Sequence, residues 1–405
     1  MGGAAVATRG VASARPDRWL ILAGFALLTA CTQWLWLAYA PITTQTHQVM
    51  AVSEGAVGDL AGIFPFVYVI LALPAGRWLD TRFARALGLG AVLTGAGGLL
   101  RLAGPASFGW ALAGQFVTAV GQPFVLNSIT KIAGRYFPAG ERTMAVSIGS
   151  VALFAGILAA VLSGGPLLDA GGLTLLLQVQ AGVAVLAAVW VLAVARMPAV
   201  FTGDPSVAVS LRWLRGDGFM WLLAGLLFIG MGVFNAVATW LDSILTHFGH
   251  GGASGPLVAI MTVGGIAGGA LLPGVVAARD QRRGMMEVAV AVTAVAFALI
   301  AVAHNPVFGG AVLLLAGFFL LAGLPVVLDW SELHAGSERA GGAAGFLLLA
   351  GNLGGVILVL IIQAVIGNPY LSLGTLSVAC LAGLAVATML PARSATAATR
   401  EGGSS

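Results

Sequence analysis

Lysine occurs once in 405 residues, at Lys131, and charged residues of all kinds make up only 8% of the chain. Threonine precedes that lysine, so no G-x-x-x-x-G-K-[ST] phosphate cradle exists and an ATP-driven pump is excluded. Cysteine is nearly as scarce. Cys31 and Cys380 both lie in apolar runs, which implies no disulfide framework. Neither H-E-x-x-H nor G-x-S-x-G occurs, so the sequence offers no hydrolytic motif and reads as a non-enzyme. What fills the chain instead is apolar: 59% of residues are hydrophobic, more than a soluble protein of this length could hide, so its solvent is lipid. A net charge of +4 then speaks of membrane topology rather than of nucleic-acid binding.

Runs long enough to cross a bilayer, about 20 residues each, fall at 19–41, 56–78, 86–104, 109–133, 143–166 and 172–195. They resume at 219–246, 256–277, 286–303, 307–330, 343–366 and 370–391. The expectation is an all-α integral membrane protein of twelve transmembrane helices in two pseudo-symmetric six-helix halves, 19–195 and 219–391. A linker at 196–218 carries Pro198, Gly203, Pro205 and three arginines, and tails run over 1–18 and 392–405. Leu28-Thr29-Ala30-Cys31 looks like a lipoprotein cleavage box, but the apolar run continues through Trp34 to Leu37, so this reads as the first span. Placing both termini, the linker and the even-to-odd loops in the cytoplasm leaves Arg101 alone outside among 19 basic residues. That partition follows the positive-inside rule and supports twelve crossings of a cytoplasmic membrane.

The halves echo each other at offsets of roughly 200 positions. Arg77, Asp80, Arg82 and Arg85 lie in a charged loop between spans, and Arg279, Asp280, Arg282 and Arg283 recur in the equivalent loop. Thr46-His47 recurs as Thr246-His247, and Glu141-Arg142 as Glu338-Arg339. Pro123-Phe124-Val125-Leu126-Asn127 recurs as Pro325-Val326-Val327-Leu328-Asp329. Parallel repeats of this kind share a substrate site at their interface near the midplane.

Polar groups at bilayer depth cost several kcal/mol unless paired or hydrated, so they nominate that site. Candidates for substrate binding are Gln33, Trp34, Tyr68, Gln122, Asn127, Asn235, Trp240 and Asn352. Against that reading stand ordinary helix–helix hydrogen bonding for Gln122 and Asn235, packing for Trp34, and interfacial placement for Trp36 and Trp240. Asp59 and Asp242 lie near outer span ends, where they would be hydrated or would titrate in a proton-coupled carrier. Asp329 and Glu332, near the inner end, suit a gating ion pair with Arg142 or Arg339, or a substrate role. No histidine falls at mid-membrane. His247 and His250 have metal-ligand spacing in an outer loop, but no metal site and no cofactor is expected. Pro41, Pro65, Pro123 and Pro325 are candidate bends.

Gly76-Arg77-Trp78-Leu79-Asp80-Thr81-Arg82 resembles the loop signature of the major facilitator superfamily, with Phe83 where its second glycine would stand. That resemblance implies the major facilitator fold and a secondary transporter. It implies that Asp80 latches onto the start of the eleventh helix near Gly341 and Gly342 in the outward-open state. Arg82, Arg85, Glu141, Arg142, Asp280, Asp329 and Glu332 complete the expected gating set; for Asp80 and Asp280 the alternative is that the loop charges only fix topology. Gln33-Trp34, Leu79-Asp80-Thr81-Arg82, Gln122-Pro123-Phe124-Val125-Leu126, Lys131-Ile132-Ala133 and Tyr136-Phe137 further resemble the feline leukaemia virus subgroup C receptor-related transporters. This implies choline, ethanolamine or haem as substrate class, with Trp34 facing an ammonium and Gln122 in the cavity. Asn235 stands where that family has a cage tyrosine, which weakens a quaternary-ammonium site by one aromatic face.

The expected function is therefore secondary transport of a small organic solute by alternating access, as a uniporter. Its partners are that solute and the lipid bilayer, and it is expected to be monomeric. The alternatives are a proton-coupled exporter of amphipathic compounds, or a receptor or scaffold that moves nothing.

Overall fold

The computed structural model describes residues 17–201, 211–250 and 253–392, without the side chains of residues 43, 44, 54, 55, 211 and 242. The expected tails, with Arg9, Arg15, Arg393 and Arg400, and the middle of the expected linker fall outside the described residues. So does the side chain of Asp242.

The described residues form thirteen α-helices and four short 3-10 turns. In order they are α1 (Asp17–Trp36), α2 (Thr43–Met50), α3 (Glu54–Leu100), α4 (Phe108–Leu126), α5 (Ser128–Tyr136), α6 (Arg142–Val194) and α7 (Gly218–His247). There follow α8 (Ser254–Ala278), α9 (Arg282–Ala303), α10 (Pro306–Leu320), α11 (Gly323–Ala335), α12 (Ala340–Val365) and α13 (Pro369–Thr388). Helix starts carry their own stop signals against fraying. The Ser53 and Asp217 side chains accept from the backbone N–H of Ala56 and Met220. Asn305 and Asn368 cap α10 and α13, each followed by proline in the first turn, where its missing N–H costs nothing.

Among the described residues, nine stretches are long and apolar enough to cross a membrane. Two of them, 48 and 56 residues long, would at ~1.5 Å per residue extend more than twice the ~30 Å of a hydrocarbon core. Both are broken internally. Helix α3 loses helical geometry at Arg82 (φ −141°, ψ 56°), within the charged loop. Helix α6 breaks at Gly171 and at Gly172, whose φ of +66° falls where a side chain would be strained. Two other expected spans are interrupted near proline: α4 gives way to α5 at Asn127, and α10 to α11 just before Pro325.

The outer surface is as apolar as the inside, with Phe66, Ile70, Leu186, Val302 and Val307 all more than half exposed. In water such a surface would drive aggregation, whereas lipid tails satisfy it. Inside, α3 packs on α4, α1 on α6, α7 on α12, α8 on α10 and α9 on α13. Contacts of α3 with α12 and of α6 with α8 join the part of the chain before the linker to the part after it. Small residues let these rods approach closely. A Cβ on Gly268 of α8 would run into the carbonyl of Phe318, and one on Gly317 of α10 into that of Met261.

Candidate binding cavity and latch

A cavity of about 950 Å³, open solvent included, lies between the helices before the linker and those after it. Gln33 of α1 and Gln122 of α4 line it from one side, and Asn235 of α7 and Asn352 of α12 from the other. The rest of the wall is apolar, including Trp36, Phe64, Phe154, Phe234, Met231 and Met286. Phe154 and Phe234 meet edge to face across the interface, 6.3 Å between ring centres. The helix breaks shape this wall: Leu126 lies at the end of α4, and Leu320, Leu321 and Leu324 flank the α10–α11 junction. No ionisable side chain is among the described lining residues.

The other residues expected at the site are held elsewhere. The Trp34 indole N–H donates to Ser163 Oγ at 3.0 Å, turning the ring toward α6 and away from the cavity wall. The Trp240 N–H donates to the Val359 carbonyl at 3.0 Å, tying α7 to α12. Tyr68 and Asn127 are fully buried. The tyrosine hydroxyl donates to Asn127 Oδ1 at 2.6 Å, and Asn127 Nδ2 donates to the Ala72 carbonyl at 2.7 Å. This pair pins the α4–α5 break onto α3.

At one end of the bundle, a set of charged groups closes the interface. Asp80 Oδ1 accepts from the backbone N–H of Gly341 at 2.9 Å, and Oδ2 from that of Gly342 at 2.8 Å. These are first-turn donors of α12 with no intrahelical acceptor, where a carboxylate meets the positive helix end. Gly76 makes the approach possible, since a Cβ there would lie 2.5 Å from the Gly341 carbonyl oxygen. The single lysine completes the arrangement. Lys131 Nζ donates to Asp80 Oδ1 at 3.0 Å and to the carbonyls of Ser337 and Glu338 at 2.8 Å each. Thr130 Oγ1 donates to the Ala340 carbonyl at 3.0 Å.

A second cluster sits beside the first. Arg142 pairs with the buried Glu332 at 3.0 Å, and the Thr143 hydroxyl donates to Asp329 Oδ1 at 2.7 Å. Arg282 reaches Asp329 Oδ2 at 2.9 Å and Asp280 at 3.2 Å. Asp280 sits in a left-handed conformation, φ 49°, and accepts from Arg282. Glu141 pairs with Arg18 at 2.9 Å. Arg82 and Arg85 are exposed.

Three features escaped the sequence. Lys131 reads there as one more inner positive charge, and nothing local marks its reach to residues more than 200 positions away. Phe64, Phe154 and Phe234 are indistinguishable from lipid-facing aromatics until the helices are packed. Arg101, expected in an outer loop, is buried, donating to the Leu35 carbonyl at 3.2 Å and to Thr118 Oγ1 at 3.4 Å.

Apolar rods around a sparsely polar cavity, sealed at one end by one ion pair and a set of hydrogen bonds across the interface, define a multi-pass membrane carrier. Residues 20–359 match the family described as Major Facilitator Superfamily, and the chain belongs to that family of transporters. Solute carrier family 49 member A3 of Danio rerio is 27% identical over 370 residues, spanning 86% of this chain and 78% of that protein. Choline/ethanolamine transporter FLVCR2 of Homo sapiens is 29% identical over 135 residues, spanning 32% of this chain and 26% of its own length. Among solved structures, the human organic anion transporter MFSD10 superposes with a TM-score of 0.76 at 15% identity, covering 92% of this chain and all of that one. The transporter FucP in its outward conformation gives 0.71 at 15% identity, covering 91% and 99%.

Proposed function

We propose that this chain is a uniporter that carries a small organic solute across the cytoplasmic membrane by alternating access. Twelve crossings, six in residues 19–195 and six in 219–391, rock about the cavity, with both termini on the cytoplasmic side. The arginine-rich latch end is the cytoplasmic gate, closed here, so the cavity faces outward. Asp80, Lys131, Arg142, Thr143, Asp329 and Glu332 are the groups that part when the carrier turns inward. One observation carries the reading: a largely apolar cavity with four carboxamides at the interface, and the charged closure at one end of the bundle.

The FLVCR2 relatives are choline/ethanolamine transporters, which makes choline and ethanolamine the first solutes to try here. The proton-coupled alternative would have to use Asp59, exposed near the start of α3, or Asp242. Purified protein in proteoliposomes should show saturable uptake that accelerates when the lumen holds unlabelled solute. Uptake that is linear in concentration and indifferent to lumenal solute would instead favour a receptor or scaffold.

A further inference from the structure

Two of the four carboxamides in the cavity have their orientation decided by their neighbours. Asn352 Nδ2 donates to the Leu348 carbonyl at 2.8 Å. A carbonyl can only accept, so the amide nitrogen must face it and Oδ1 is left to the cavity. Gln33 is set by a two-step relay. The Thr32 hydroxyl gives its single proton to the Thr29 carbonyl at 2.7 Å, so toward Gln33 that hydroxyl can only accept. Gln33 therefore turns its Nε2 to Thr32, at 3.3 Å, and leaves Oε1 outward. Gln33 and Asn352 come from opposite sides of the interface and line the same cavity. The described lining residues include no arginine, lysine or histidine to balance a buried anion and no aspartate or glutamate to balance a buried cation, so the two aimed oxygens decide between them.

We propose that the cavity presents these two acceptors and holds its solute through O–H or N–H donors bridging Gln33 Oε1 and Asn352 Oδ1, and that it rejects carboxylates. Thr32 is a positioning residue for this site. The assignment rests on the transport reading and narrows it. Alcohols and primary ammonium compounds share the required donors; quaternary ammonium compounds have lost those on nitrogen.

The test is a binding series by thermal shift on the purified full chain, repeated as counterflow in proteoliposomes. The probes are ethanolamine, its N-methyl and N,N-dimethyl derivatives, choline, 1,2-propanediol and benzoate. The expected result is affinity falling at each methylation, with no response to benzoate; the diol arm separates hydroxyl recognition from ammonium recognition. Thr32→Val should weaken the best probe about three- to tenfold, the worth of one neutral hydrogen bond, and Thr32→Ser should restore it. Asn352→Leu should weaken it similarly. Choline binding as well as or better than ethanolamine, a benzoate shift, or Thr32→Val binding like the parent would each overturn the assignment while leaving transport intact. Binding in the expected order without counterflow would overturn the transport reading and leave the assignment standing. A panel in which nothing binds removes the donor-bridged site.

Discussion

Asp80 and Lys131 form a buried pair whose remaining bonds all go to main-chain groups on the far side of the interface. Hydrogen bonds to charged groups contribute ~1.5–3 kcal/mol each, so a single neutral substitution should tilt the balance between the two faces. Because the chain has one lysine, an amine-reactive ester reads out that tilt at one side chain, with the terminal amine separated by peptide mass. Asp80→Asn should raise the labelling rate of Lys131 by about tenfold or more. Unchanged labelling would mean that the pair does not hold the gate. Tyr68 behaves differently, because its hydroxyl bonds within one side of the interface, to Asn127. Tyr68→Phe should lower thermal stability by about 1–2 kcal/mol and leave Lys131 labelling alone, since what it loses is a buried partner rather than a crossing contact. A differential scanning measurement beside the labelling assay separates the two.

The interface between α3 and α12 depends on backbone meeting backbone. At Gly76 even a methyl group would lie 2.5 Å from the Gly341 oxygen, so neither helix can yield by a side-chain rotation. Gly76→Val should therefore open the latch with its charges untouched, costing about 1–3 kcal/mol of the closed form. Lys131 labelling should rise as it does for Asp80→Asn. Gly58→Ala, where a Cβ meets nothing within 4 Å, is the matched control and should behave like the parent. Equal labelling in the two glycine variants would rule out close helix approach as the requirement. The same scale explains the breaks at Asn127 and before Pro325. Each interrupts a rod beside the cavity, and the repeated proline motif made both positions candidates for bends.

For the whole molecule, the cavity's chemistry bears on coupling. On the uniport reading proposed above no proton rides with the solute, and no ionisable group is among the described residues of the wall. Counterflow should vary less than about twofold between pH 6 and pH 8, where an essential carboxylate of shifted pKa would produce a tenfold step per unit. A steep profile that Asp59→Asn or Asp242→Asn flattens would point to the proton-coupled alternative.

Much of this was readable in the residues, and the reason is that lipid imposes one-dimensional rules. Backbone groups must pair within each crossing, so length and hydropathy alone marked the chain as apolar membrane helices, and Gly76 through Arg82 carried the family resemblance to which Asp80 and the start of α12 belong. Side-chain aim is another matter. Trp34 and Trp36 sit two residues apart on one helix, yet only the second faces the cavity, because neighbouring helices decide which flank of a rod is interior. The partners of Lys131 and the burial of Arg101 came from tertiary structure alone, because each is settled by groups that the chain brings together from tens to hundreds of positions away.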